Sequence, residues 1–334
     1  MFVYLFVLSE ENFDVVELLA PFWGGRALSE KQKQHLRSSP AFEGQRAKLK
    51  AGKFQDRDAF KLTRMFQHAL ATTTRHQFTS KSGLVLDGPV GASAGQAGIQ
   101  IMYALDGAKV RCAKVGSRAL QHEFEVSETI RKLVLCSSVL RILAFEEVKP
   151  DTFALVMPVY PMSVSDALLA LPPGASTARD EIALAVALHG LAAVAAFASA
   201  GFAHGDLKPS NFMLGDNVVC IDFGTAKKIG GSFSESSIFS VNMDRTVSTE
   251  YDLVCLGATL ASLQHDEVVI DQSSTRASVL ASLQRIEKKY WSPASMLAEA
   301  CLLPSPTLVE LKTLAGRVSD PKLIDAMWPR SPPN

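Results

Sequence analysis

The chain has 334 residues with 34 basic and 34 acidic side chains, so no overall charge draws it toward nucleic acid or a membrane surface. A hydrophobic content of 47% is ample for large cores and excludes a disordered or low-complexity polypeptide. Five cysteines, Cys112, Cys136, Cys220, Cys255 and Cys301, are odd in number, widely spaced and never paired as CxxC; they read as reduced, mostly buried thiols of an intracellular protein.

The opening MFVYLFVLSEENF has no basic residue before its apolar run and two glutamates straight after it, unlike a signal peptide. Residues 1–80 carry helical patterning, as in Phe60, Met65, Phe66 and Leu70, broken by Pro40, Gly44 and Gly52, and are expected to form a helical extension. Between Arg26 and Lys81 stand thirteen Lys/Arg against four Asp/Glu: a basic arm that docks an acidic partner, or a solvated helical surface. From about residue 83 the pattern changes to short strands: GLVLDG, then the small-residue stretch PVGASAGQAG, then IQIMYAL and AKVRCAKV around the Asp106-Gly107 hairpin signal. FEVSETIRKLVL follows as a helix, VLRILAFEEV and TFALVMPVY as strands, and SVSDALLAL as a helix.

Residues 182–203, IALAVALHGLAAVAAFASAGFA, have about the length of a membrane span. They are rich in Ala rather than Leu, contain His189 and Gly190, follow a Thr177/Asp180 capping box and run directly into HGD; a buried core helix is expected, with no transmembrane span. The final WPRSPPN is expected to fray.

Residues 204–224, HGDLKPSNFMLGDNVVCIDFG, put two aspartates, an asparagine and a lysine on two turns separated by a short hairpin. Phosphoryl transfer needs a carboxylate to receive the hydroxyl proton, oxygen ligands to hold magnesium on the phosphates, and a cation to take up charge on the transferred group. Asp206, then Asn211 with Asp222, and Lys208 fit those three tasks in order. An Asp-rich turn that only caps backbone would account for either motif alone but hardly for both.

In these motifs the chain resembles the eukaryotic-type protein kinase family. The resemblance implies an α+β, bilobal protein-kinase-like fold. A small antiparallel-sheet lobe with one helix would span about 81–160, and a larger, mainly helical lobe about 161–330, after the N-terminal extension of 1–80. It implies ATP and Mg2+ as cofactors. Lys114, ninety-two positions before Asp206, would hold the α and β phosphates, and Cys112, two before it, would roof the adenine and place a thiol in the nucleotide pocket. Gly95 and Gly98 would belong to the phosphate loop, with Ser93 where another glycine is usual. Met157 would be the gatekeeper, Val159 and Tyr160 the hinge, and Met213 the floor beneath the adenine.

The resemblance also implies a glutamate on the helix after Lys114 that pairs with it. Glu123, Glu125 and Glu128 compete; Glu128 is chosen by its distance to the following strand, although Val126, Ile130, Leu133 and Val134 define an apolar face opposite to it. Gly205 stands where the family has an arginine that gathers an activation-segment phosphate. The Ser-rich GGSFSESSIFS therefore reads as a mobile polar loop, with activity independent of phosphorylation there. Asp252 resembles the aspartate that anchors the catalytic-loop backbone, and no APE sequence precedes it.

The function implied is ATP- and Mg-dependent transfer to Ser or Thr of a protein substrate, Lys208-Pro209 resembling the Ser/Thr branch. The alternatives are a small-molecule kinase of the aminoglycoside or choline kinase-like type, and a nucleotide-binding pseudokinase. The expected location is intracellular, cytoplasmic or nuclear.

Overall fold

The computed structural model describes residues 78–79, 83–89, 99–106, 109–160, 162–171, 175–265, 268–287 and 292–332. The expected helical extension as far as residue 77, with most of its basic run, and the loop glycines Gly95 and Gly98 lie outside these residues. Two compact units share the described chain. The first runs as far as Phe124 and resumes over Arg141–Met162; the second takes Glu125–Leu140 and everything from Ser163 onward.

Alternating side chains build the first unit. Strands β1 (Phe78–Thr79), β2 (Val85–Pro89), β3 (Gln100–Asp106), β4 (Lys109–Gly116), β5 (Ala144–Lys149) and β6 (Thr152–Met157) form one antiparallel sheet in the order β1-β2-β3-β4-β6-β5. The sheet starts slightly earlier than the strand pattern implied, since Phe78 pairs with Leu86. The β3–β4 pair closes at Asp106 and Lys109, so Asp106 ends a strand. Successive residues of a strand point to opposite faces. Ala113 and Val115 of β4 therefore enter a core with Leu86, Met102, Ala104, Ala154 and Val156, while Cys112 and Lys114 share the other face. Between β5 and β6 the chain turns at Asp151, whose φ of 57° lies in the left-handed region that Asp tolerates better than most residues.

Helix α1 (Leu120–Leu133) follows β4 and begins ahead of the FEVS stretch, which brings Glu123 into its first turn. Phe124 stacks on Phe145, and Phe145 on Phe153, with centroids 5.6 and 5.2 Å apart.

The second unit is mainly helical. After strand β7 (Met162–Ser163) come α2 (Val164–Leu169) and α3 (Ser176–Ser199). The short strands β8 (Phe202–Ala203), β9 (Phe212–Leu214), β10 (Val218–Cys220) and β11 (Lys227–Lys228) are followed by α4 (Thr249–Gln264), α5 (Arg276–Glu287), α6 (Pro293–Leu302), α7 (Leu308–Val318) and α8 (Pro321–Met327). Local chemistry fixes several starts. Ser163 and Asp166 form a reciprocal capping box on α2. Ser248, Ser292, Thr307 and Asp320 cap α4, α6, α7 and α8.

The capping box expected at Thr177 and Asp180 is not formed. Helix α3 starts at Ser176 behind Ala175, which makes no side-chain cap, so both residues lie inside its first turns. It stops at Gly201, whose φ of +79° ends the helix without a Cβ penalty. Among the described residues α3 is the helix long and apolar enough to cross a membrane, and 72% of its most apolar window is buried inside the protein. A helix apolar all round belongs where neighbours cover every side. Gly190 admits one of them closely: a Cβ there would lie 2.6 Å from Cδ1 of Leu256 on α4.

His189, on the same helix, meets Ser138 Oγ at 2.8 Å, and burial pushes its pKa down to about 4. In the unfolded chain a histidine protonates near 6.5, so the stability that neutral His189 contributes is complete above that pH and is lost as pH falls toward 4. The expected loss on acidification is about 2–3 kcal/mol. Urea midpoints measured for the wild type and His189→Gln between about pH 7.5 and 4.5 should diverge, the variant having the shallower acid slope; equal slopes would refute this role.

Arg330, within the segment expected to fray, is held in place. Leu135 N donates to Arg330 O at 2.7 Å and Arg330 N to Leu135 O at 3.1 Å, a two-bond antiparallel bridge.

Candidate active site

Residues 204–211 lie in the second unit between β8 and the β9–β10 hairpin. Asp252, in the first turn of α4 and 1% exposed, holds the loop by its backbone: His204 N donates to Oδ2 at 2.6 Å and Gly205 N to Oδ1 at 2.8 Å. Burial pushes the Asp252 carboxyl above the usual carboxylate range, while the neighbouring His204 and the two N–H donors pull it back. Thr259, two turns further along α4, donates to Leu207 O at 2.9 Å. Asp206 N approaches His204 Nδ1 at 3.2 Å, which makes Nδ1 an acceptor and leaves Nε2–H to donate to Ile221 O at 2.9 Å.

Three of the residues expected in the site meet on one carboxylate. Lys208 Nζ lies 2.6 Å from Asp206 Oδ2, and Asn211 Nδ2 donates to the same oxygen at 3.2 Å and to Asp206 O at 2.9 Å. The second motif is tied to the first through its backbone, Ile221 N donating to Asn211 O at 2.9 Å. Asp222 follows with φ 67° and ψ 77°, a left-handed conformation for a non-glycine residue. Among the described residues no group of three His, Cys, Asp or Glu side chains could hold a metal ion alone. Asn211 spends its amide nitrogen on Asp206, which directs its oxygen elsewhere.

Gly205 is required by space and by backbone. Its φ is +83°, and a Cβ would lie 2.4 Å from Cε1 of Phe233. Phe233, 4% exposed, packs in turn on Tyr251 with centroids 4.6 Å apart. The Ser-rich segment expected to be a loose polar loop is tethered: Phe233 N donates to Arg245 O, Gly230 N to Val247 O and Val247 N to Gly231 O, at 2.8–2.9 Å. Lys227 Nζ binds Ser232 O, and Arg245 binds Ser234 O and Ser236 Oγ.

Just before Asp252, Glu250 accepts from Arg276 Nη1 at 2.8 Å, while the same guanidinium donates to the carbonyls of Leu302 and Leu303 at the end of α6. Neither Arg276 nor Phe233 was among the residues expected in the site. No short motif marks either, because each acts across a separation that only the fold closes.

In the first unit, Lys114 Nζ lies 2.7 Å from Glu123 Oε2, with the side chains 13% and 2% exposed. This corrects the assignment to Glu128. Glu123 shares a helical face with Val126, Ser127 and Ile130, all buried, whereas the Glu128 carboxylate forks onto Arg131 at 2.7 Å. Removing either member of a largely buried pair strands the other charge, at a cost of about 3 kcal/mol.

Cys112 is the cross-strand partner of Met157. Burial pushes its thiol up to about 12, so it is a neutral packing group at physiological pH. Val159 and Tyr160 follow the end of β6 outside any strand, and burial likewise pushes the Tyr160 hydroxyl up to about 12. Met213 lies at the centre of β9, opposite Val219.

No family model and no curated protein matches this sequence. Among solved structures the chain is similar to vaccinia related kinase 3, with a TM-score of 0.55 at 14% identity, over 80% of this chain and 97% of that one. At that level of identity the likeness carries the architecture and nothing finer, and the architecture is an α+β, protein-kinase-like fold.

Proposed function

We propose that this chain is a phosphotransferase that moves the γ-phosphoryl group of ATP, with Mg2+, to serine or threonine hydroxyls of a protein substrate. The observation that carries the proposal is the convergence of Lys208 and Asn211 on the Asp206 carboxylate. With Oδ2 held by two donors, Oδ1 is the oxygen that orients the acceptor hydroxyl and takes its proton. Lys208 then offsets charge on the transferred group, Asn211 and Asp222 supply oxygens to the metal, and Lys114, braced by Glu123, steadies the α and β phosphates. Magnesium bound there would neutralise the phosphates and fix their geometry.

Cys112, Met157, Val159, Tyr160 and Met213 would surround the base, and Gly95 and Gly98 would lie over the phosphates. A basic segment within residues 1–80 would dock an acidic partner. A cytoplasmic or nuclear location agrees with five cysteines, none of them disulfide-bonded.

The test is autophosphorylation in Mg2+/ATP with mapped phosphosites, comparing the wild type with Asp222→Ala and Lys114→Met. Each variant should lose at least tenfold in rate, by analogy with the loss of other single electrostatic groups from active sites. Labelling that persists in both would sink the mechanism. The lack of an APE sequence before Asp252 favours a second reading, a small-molecule acceptor; phosphorylation of an amino alcohol or aminoglycoside, with none of a basic protein, would select it. A Mg2+-dependent thermal shift by ATP without turnover on any acceptor would mark a pseudokinase.

A further inference from the structure

Helix α1 carries Glu123 near its start, and the residues after its end are gripped from two directions. On one side, Leu140 N donates to Cys220 O at 2.9 Å and Cys220 N to Ser138 O at 2.8 Å, which ties the segment to the strand leading into Asp222. Ser127 Oγ, inside the helix, adds a bond to Leu140 O at 3.4 Å. On the other side stands the two-bond bridge between Leu135 and Arg330.

That bridge is itself anchored. Trp328 N donates to Ile324 O at 2.9 Å, and Arg330 Nη2 donates to Asp325 O at 2.8 Å. Lys312 of α7 pairs with Asp325 at 2.9 Å and lies 5.2 Å from the Trp328 ring centroid. Cys136, next to Leu135, directs its thiol to the carbonyls of Ala192 on α3 and Met327 on α8.

We propose that Trp328–Arg330 is a staple for helix α1, and that Arg330 is a positioning residue which, through Leu135, keeps Glu123 in place on Lys114. The catalytic part of this inference rests on Lys114 acting on nucleotide phosphates. The physical basis is continuity: α1 is one helix, and a two-bond clamp two residues beyond its end limits its sliding and rotation. Rotation is what would separate the Glu123–Lys114 pair, because neighbouring positions on a helix differ by about 100°.

Two variants test the staple. Deletion of residues 329–334 removes the bridge outright, and Arg330→Pro removes the N–H donated to Leu135. Arg330→Ala keeps the backbone bridge and loses only the side-chain bond to Asp325 O. Amide hydrogen exchange over Leu120–Leu133 should be at least tenfold faster in the first two and rise by less in Arg330→Ala, while Thr249–Gln264 stays within twofold. Unchanged exchange in α1 after the deletion would overturn the proposal.

The second readout is a cycle with Glu123→Gln. The deletion should lower the autophosphorylation rate about tenfold in the wild type and less than twofold in the Glu123→Gln background, since a tail acting through Glu123 has nothing left to position there. Equal factors in both backgrounds would show a general loss of stability and overturn the positioning role. A chain that transfers no phosphate would count against the kinase reading alone, with hydrogen exchange still deciding the staple.

Discussion

Replacing Asp252 with alanine is expected to lower the melting temperature by about 10 °C and to abolish phosphoryl transfer. The carboxylate is the acceptor for two neighbouring backbone N–H groups, at His204 and Gly205, and it is buried. Deleting it strands both donors away from water, at about 2 kcal/mol each, or about 4 kcal/mol together. For a domain of this size each kcal/mol shifts the midpoint by about 2–4 °C, which gives the stated figure. The kinetic consequence follows from sequence proximity: Asp206 is the next residue after Gly205, so release of the loop displaces the carboxylate on which Lys208 and Asn211 converge. Asp252→Asn separates the two N–H groups. Its single carbonyl oxygen can satisfy one donor, while its amide nitrogen would face the other, so a loss of about half the alanine value is expected. Thermal denaturation of both variants, with autophosphorylation in parallel, is the measurement. A melting temperature for Asp252→Ala within about 2 °C of the wild type, too small for two orphaned donors, would contradict the anchoring role.

Gly205→Ala should cost about 3 kcal/mol, unusually much for the addition of one methyl group. Left-handed backbone alone costs an L-residue about 1–2 kcal/mol. The remainder comes from the Phe233 ring, which a Cβ would approach to 2.4 Å and which is packed against Tyr251. A cycle with Phe233→Ala separates the two terms. Removing the ring relieves the clash but leaves the backbone strain, so the double variant should be about 1–2 kcal/mol more stable than the sum of the single changes predicts. Additivity within about 0.5 kcal/mol would show that the ring yields freely. The arginine that the kinase resemblance leads one to expect at this position would not fit either, because its Cβ would meet the same ring. The segment that contains Phe233 is instead held by backbone bonds around Gly230, Gly231, Arg245 and Val247.

The parts of the site that could be read from sequence are those in which the chemistry dictates the residue. Asp206, Lys208 and Asn211 lie within one short loop, and Asp222 follows across a hairpin, so their grouping needs little more than local geometry. The partner of Lys114 was harder, because three glutamates on one helix offer the same carboxylate. The periodicity of Val126 and Ile130 already pointed to Glu123, three and seven positions before them; distance along the chain to the next strand was the weaker guide, and it led to Glu128.

Phe233, Arg276 and Arg330 carried no signal at all. Their contacts at Gly205, Glu250 and Leu135 join distant stretches of chain, and each residue is ordinary in its own neighbourhood. The strands of the first unit were visible through alternation, but the start of α3 was missed because Ala175 provides no side-chain cap, and the Thr177/Asp180 pattern imitates a helix start that lies inside the helix.

Helix α3 also sets a timetable. Much of what covers it, including Leu256 of α4 and parts of α6 and α7, is encoded downstream. At about 5–20 residues per second, the ribosome needs several seconds after completing Ser199 before Gln264, the end of α4, has been made. Through that interval a segment with the hydropathy of a membrane span has little of its own chain to pack against, so the nascent protein presents it to chaperones and targeting factors.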